Sequence, residues 1–336
     1  MADMSVSPTL RFPDAVDAQT RSVRLRDVTR ESLAAAAFLD DRWDRTGCAA
    51  HSVPLAKLVP DGPGARPVFI WHSAFCCSTL LARCLDKPGR NLSLREPAAL
   101  MEVANIKRRD GVAVSDLWLR GLLPSLAASA GTDACVTIKP TNTVNNLIAD
   151  PARLFPQARH LFLTSSLRGF LTSLAKKGEA GRSFARRLFT IFAMDGHPVA
   201  RSDPRQLMQM SDLQIAAIVW HMQIATLQAA LAQGPAAAFA SLDGDAFVAA
   251  PAAALTAVDE FFGLELGAAH IAATADGPLF RQDAKHAGQA HGAERRRQEA
   301  AAIAASLGPE LDAIIEWSHG LFPQSPRDGR LPNPLI

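Results

Sequence analysis

Three stretches of this chain carry residue types whose spacing suits chemistry. The first is His72-Ser73-Ala74-Phe75-Cys76-Cys77-Ser78-Thr79-Leu80-Leu81. A loop of small residues running into a helix turns successive backbone N–H groups toward one point. With the helix N-terminus this makes an anion site, to which Ser78 and Thr79 add hydroxyl donors. From these residues alone a buried loop with an N-capping Ser reads equally well. It is not a Walker A motif, since His72 and Cys77 stand at the two glycine positions and Ser78 at the lysine position.

The second stretch is a pair of charges, Glu96 in Leu94-Arg95-Glu96-Pro97 and Lys139 in Lys139-Pro140-Thr141-Asn142. Pro97 suits the first turn of a helix and pushes Glu96 toward an extended backbone. A carboxylate held there is placed as a general base; the plainer reading is an acid satisfying a helix start. Lys139 is placed to neutralise charge on a transferring group, against the plainer reading of a solvated edge charge. His72 offers a donor or a base, although a single strand-end His is usually structural. The third stretch follows Thr164-Ser165-Ser166-Leu167-Arg168. Between Arg168 and Arg187 six basic residues face one acid, Glu179. Its position directly after a strand points to anion binding rather than to a merely solvated basic face.

The elements that position these residues follow from short apolar runs bounded by turn signals. Strands are expected at 67–71, 91–94, 136–138, 160–163 and 238–242, with helices near 31–39, 78–86, 97–108, 116–130, 142–147, 168–177, 252–262 and 294–306. Pro60-Asp61-Gly62-Pro63-Gly64 is a turn signal ahead of the first strand. Strands alternating with helices predict an α/β three-layer sandwich around a central parallel sheet of about five strands. In such a sheet ligands sit at the carboxyl ends of the strands, where all three stretches lie. Residues 1–60 read as an N-terminal extension packing on the core, and 61–336 as a single α/β domain with a helical cap at about 180–235 and C-terminal helices. The loop and cap segments 111–131 and 183–210 are the expected walls of an acceptor pocket.

The chain has 336 residues, a net charge of +2, 48% hydrophobic and 20% charged residues, and no Tyr. That composition is globular. The near-neutral balance and scarcity of aromatics argue against a dedicated nucleic-acid binder. No signal-peptide pattern and no run of about 18 apolar residues occurs, so neither secretion nor a transmembrane segment is expected. Five cysteines, without CxxC pairs or zinc-type spacing, predict reduced thiols, a cytoplasmic location and no metal site. Cys76-Cys77 is too strained a pair for an ordinary disulfide. His221, beside Trp220, reads as a core residue.

Taken in order, the motifs resemble the bacterial sulfotransferase family, which has a P-loop NTPase-like fold. The loop Phe75–Leu81 resembles its 5′-phosphosulfate loop. Val136-Thr137-Ile138-Lys139-Pro140, then Leu154-Phe155-Pro156-Gln157-Ala158-Arg159, then His160–Leu163 is similar to a strand ending in Lys, a helix, a Phe-Pro-Asp-Ala-Arg motif and the next strand. Ser241–Phe247, Pro251 and Phe261–Leu264 are similar to the family's C-terminal pattern. The resemblance implies 3′-phosphoadenosine-5′-phosphosulfate as co-substrate, with no metal, and sulfuryl transfer to a hydroxyl or amine. It implies donor binding by Phe75, Cys76, Cys77, Ser78, Thr79 and Leu80 at the phosphosulfate. Ser165, Arg168 and Ser173 would bind at the 3′-phosphate, with Arg281 and Lys285 from a C-terminal loop. Glu96 is implied as base, with Lys139 and His72 beside it. The chain departs from the family where Phe75 replaces a Lys or Arg, Cys77 a Gly, and Ser165 the 3′-phosphate Arg. The expected partner is a small-molecule, carbohydrate or lipid acceptor, with a homodimer left open. Two rival readings remain: a nucleotide-dependent kinase or phosphotransferase, and a non-catalytic nucleotide-binding or interaction protein.

Overall fold

Strand residues alternate between two apolar layers. The computed structural model describes residues 9–58, 64–201, 203–281 and 293–336. The chain opens with an antiparallel sheet of β1 (Leu10–Asp17), β2 (Ser22–Val28) and β3 (Ala50–Pro54), with α1 (Arg30–Ala35) between the last two. Then come β4 (Arg66–His72), α2 (Ser78–Cys84), β5 (Asn91–Arg95), α3 (Ala98–Asp110), α4 (Val112–Ala128) and β6 (Cys135–Lys139). A 3-10 turn (Asn142–Leu147) leads to α5 (Ala149–Leu154), β7 (Arg159–Thr164), α6 (Leu167–Ala175), α7 (Gly178–Met194), α8 (Pro204–Gln209), α9 (Asp212–Gln233) and β8 (Phe239–Asp243). The chain closes with α10 (Gly244–Ala249), α11 (Pro251–Phe262), α12 (Ala268–Ala275) and α13 (Ala293–Leu321).

The second sheet has five parallel strands in the order β5-β6-β4-β7-β8. Phe69, Trp71, Phe162 and Phe239 face one apolar layer with α3, α4, α6, α7 and α9. Val68, Ile70, Leu161, Leu163, Ala240 and Leu242 face the other, with α2, α10, α11 and α12. Burial on both faces is why these strands read as continuous apolar runs. The chain leaves β4 toward β5 and β6 on one side and later fills β7 and β8 on the other. The carboxyl end of β4 is therefore the topological switch point, the edge at which parallel sheets of this kind take ligands.

Two sequence expectations are revised. The N-terminal region carries a sheet of its own, and Phe12, Val23, Leu25 and Val28 share the core of Phe69 and Trp71. A register shift between Pro13 and Ala15 breaks the alternation that would have marked β1. The last helix runs on to Leu321, past the expected end near 306, because Leu311 and Ile314 are buried beyond it. The helix expected near 116–130 is α4, packed on β1 and α3. Among the described residues α9 alone is long and apolar enough to cross a membrane, and Ile215–Ile224 are buried in the fold. Of the turn signal ahead of β4, only Gly64 lies within the described residues.

Gly244 opens α10 at the point where three elements converge. A Cβ there would meet the Cys76 carbonyl oxygen at 2.6 Å and that of Thr164 at 3.0 Å. Gly244→Ala must push the 73–77 loop or the end of β7 aside, lowering stability by ~1–3 kcal/mol in urea unfolding. His160 lies in the core, stacked between Phe69 and Phe239, and accepts the Trp71 indole N–H at 3.1 Å. Burial pulls its pKa down to about 3. The folded state therefore keeps it neutral while the unfolded chain protonates below about pH 6.5. Its contribution is complete above that pH and is lost as pH falls toward 3. Urea midpoints should drop between pH 7 and pH 5, and His160→Gln should flatten that slope.

Candidate functional site

The loop after β4 holds its shape without glycine. Ala74, Phe75 and Cys77 take φ values of 65°, 50° and 63°. Each left-handed non-glycine residue costs about 1–2 kcal/mol, and such strain persists only where neighbours impose it. The neighbours are identifiable. Ser73 N–H donates to the Leu163 carbonyl at 3.2 Å. His72 Nδ1 accepts from Ala74 N–H at 3.1 Å, and its Nε2 lies 3.0 Å from the Pro140 carbonyl. The Phe75 ring packs edge-on against Phe170 and Phe184. Both His72 nitrogens thus serve the backbone, which gives this residue a scaffolding part instead of the base suggested by sequence. α2 begins directly after Cys77, so the amides of Ser78, Thr79 and Leu80 have no partner within the helix. Ser78 and Thr79 are both buried.

The two charges are brought together. β5 and β6 pair in register with Arg95 opposite Lys139, so the residue after β5 sits beside the end of β6. Glu96 N–H donates to the Lys139 carbonyl at 2.7 Å. Lys139 Nζ donates to Glu96 Oε1 at 2.5 Å, and the lysine side chain is 1% exposed. Glu96 adopts φ 55° rather than the extended backbone expected before Pro97. The bond to Lys139 and the ion pairs of its carboxylate override that preference. On the loop side, burial pushes the Cys76 thiol up to about 12, and Lys139 is near enough to oppose the rise. Cys76 is thus an unreactive core thiol, while Lys139 acts electrostatically on both the loop and Glu96.

Sequence reasoning missed the third wall. Leu39 N–H donates to the Arg95 carbonyl at 2.7 Å, and Ala98 N–H to the Leu39 carbonyl at 3.1 Å. The buried Arg95 guanidinium donates to the carbonyls of Leu33, Ala34 and Ala36. These bonds lay segment 36–42 over the strand ends. Arg42 then donates to Glu96 Oε2 at 2.8 Å and to Asp40, with its guanidinium 3.5 Å above the Phe38 ring. Burial works against the charge on Arg42, but Asp40 and Glu96 outweigh it and raise its pKa. The only sequence signal was an unassigned Arg in a polar segment.

The basic stretch after β7 is placed differently from expectation. Arg168 pairs with Asp312 on α13, Lys176 with Glu299 at 3.1 Å, and Arg182 and Arg186 with Asp212 at 3.5 and 2.6 Å. These ion pairs tie α6 and α7 to α13 and α9. Ser165 is buried with its hydroxyl unpartnered, and its carbonyl accepts from the Trp220 indole at 2.9 Å. The C-terminal tail crosses this point, since the Gly329 carbonyl accepts from Thr164 Oγ1 at 3.1 Å. Ser173 is half-buried on α6. Arg281 is exposed and donates to the Asp276 carbonyl; Lys285 lies outside the described residues. The loop end therefore presents helix-start amides with the Ser78 and Thr79 hydroxyls, an arrangement that suits an anion. The Ser165–Ser173 end offers hydroxyls, while Arg168, expected there, is turned to Asp312. Among the described residues no group of three His, Cys, Asp or Glu side chains is arranged to hold a metal ion. Two clefts, of about 230 and 250 Å³, lie away from the loop, one lined by α7, α8 and α9 and the other by Arg66, Arg159 and Glu260. Neither includes a residue of the loop or of the Glu96–Lys139 pair.

No family model matches the chain, and no curated protein matches its sequence. Among solved structures it is similar to the sulfotransferase domain from the curacin biosynthetic pathway, at 14% identity over 74% of this chain and 99% of that one, with a TM-score of 0.44. It is also similar to the sulfotransferase domain from the Synechococcus PCC 7002 olefin synthase, at 15% identity over 68% and 82%, with a TM-score of 0.40. A third is sulfotransferase STF9 from Mycobacterium avium, at 12% identity over 73% and 78%, with a TM-score of 0.38.

Proposed function

We propose that the chain is a sulfotransferase-like enzyme that moves a sulfuryl group from 3′-phosphoadenosine-5′-phosphosulfate to a hydroxyl or amine of an acceptor. One observation carries this reading. A strained, glycine-free loop at the switch point of a parallel sheet stands beside a Lys and a Glu from the two neighbouring strand ends. When bound, the donor supplies a sulfuryl group with a good phosphate leaving group. The chain's residues then have separable tasks. Loop amides with the Ser78 and Thr79 hydroxyls hold the phosphosulfate. Lys139 neutralises charge developing on the leaving oxygen. Glu96 takes the acceptor proton as the new S–O bond to a hydroxyl, or S–N bond to an amine, forms and the S–O bond to phosphate breaks. Ser165 and Ser173 offer hydroxyls to the 3′-phosphate. The five free thiols support a reducing, cytoplasmic setting.

A second reading is favoured by one specific contact, the pairing of Arg168 with Asp312. A loop that keeps its phosphosulfate end without a 3′-phosphate clamp suits a donor lacking that phosphate. Competition between adenosine 5′-phosphosulfate and the 3′-phosphorylated donor separates the two. Equal affinity assigns the second reading, and a strong preference for the 3′-phosphorylated donor assigns the first.

With radiosulfur-labelled donor and a panel of hydroxyl and amine acceptors, Glu96→Gln should lower turnover by ~10²–10⁴-fold, with donor binding retained. Full activity in Glu96→Gln would place the base elsewhere. Lys139→Ala should weaken donor binding by ~10–100-fold, the scale of one charge-assisted hydrogen bond. Unchanged binding would remove Lys139 from the donor site.

A further inference from the structure

Lys139 has two claims on it. Glu96 holds its ammonium at 2.5 Å in a site that is 1% exposed, and the proposed donor needs the same ammonium. If Lys139 were the carboxylate's sole cation, turning it to the donor would leave a half-buried negative charge without a partner, which is costly. The N-terminal segment supplies a second cation. The four charges alternate in a row, Lys139, Glu96, Arg42 and Asp40. Their contacts are 2.5 Å from Lys139 to Glu96, 2.8 Å from Glu96 to Arg42 and 2.5 Å from Arg42 to Asp40. Lys139 and Arg42 take different oxygens of Glu96, Oε1 and Oε2. Losing one cation therefore leaves the other bond in place. Phe38 lies under both cations, 3.5 Å from the Arg42 guanidinium carbon and 5.9 Å from Lys139 Nζ. Its ring is buried.

We propose that Arg42 is a positioning residue that holds the Glu96 carboxylate when Lys139 turns to the bound anion. Resting on the donor reading above, this assigns the N-terminal segment a part in the site. Arg42 acts through Glu96 and does not touch the donor. Its guanidinium is already committed to Asp40 and Glu96, and it takes the Glu96 oxygen that Lys139 does not. The paired bonds of the Arg42 fork go to Asp40, and this braces the guanidinium that gives its one bond to Glu96; a Lys at that position would be braced less well.

The test is a cycle of variants titrated calorimetrically with adenosine 3′,5′-bisphosphate as the anion probe. Arg42→Ala should weaken binding about tenfold, because recruiting Lys139 then takes the second of these two cations from Glu96. Arg42→Lys should recover most of that loss. Glu96→Gln, which frees Lys139, should bind at least as tightly as the parent chain. The double variant Arg42→Ala/Glu96→Gln should match Glu96→Gln, since there is no carboxylate left to strand. A merely structural role for Arg42 would weaken binding equally in both backgrounds, and that result would overturn the proposal, as would unchanged affinity in Arg42→Ala. Thermal unfolding of each variant checks that the fold is retained. Absence of binding in the parent chain and in Glu96→Gln alike would instead contradict the donor reading itself, and this inference with it.

Discussion

A lysine that is almost wholly removed from water needs a partner, and the structure around β5 and β6 is arranged to provide one. Moving an ammonium and a carboxylate out of water costs several kcal/mol per ion, and geometry must repay it. Here the repayment is local. Parallel pairing sets Arg95 opposite Lys139, and the chain turns sharply at Glu96 to bring its carboxylate onto the lysine. The rest of the site follows from that contact. The N-terminal segment is tied over it by backbone bonds to Arg95 and Ala98, and Arg42 completes the charge row.

The loop after β4 is the second consequence of crowding at one sheet edge. Families of anion-binding loops rely on glycine for left-handed positions; this loop uses Ala74, Phe75 and Cys77 instead. Its conformation is enforced from outside by His72, by the carbonyl of Leu163, by Phe170 and Phe184, and by the close approach of Gly244. Phe75, which displaces a cation from the expected donor site, is one of these anchors. Its aromatic packing exchanges charge for rigidity.

The sequence disclosed the five sheet strands because each is buried on both faces, and it placed Glu96, Lys139 and the loop on one edge because each directly follows a strand. It did not disclose β1–β3, since the alternation of β1 is broken at Pro13 and β3 is mostly exposed. Nor did it disclose the fate of the basic stretch. Arg168, Lys176, Arg182 and Arg186 find acids on α9 and α13, and such tertiary pairs, 26 to 144 positions apart for Arg186 and Arg168, leave no local signature. Arg42 was invisible for the same reason, since Glu96 is 54 positions away.

The account stands on one claim: the loop and Lys139 form a site for a small anionic nucleotide without help from a divalent cation. Calorimetric titration of the full chain with adenosine 3′,5′-bisphosphate, with and without a chelator, tests it most directly. The account predicts saturable one-site binding that chelation leaves unchanged. No heat at millimolar nucleotide, or saturation only by ATP with Mg²⁺, would contradict it.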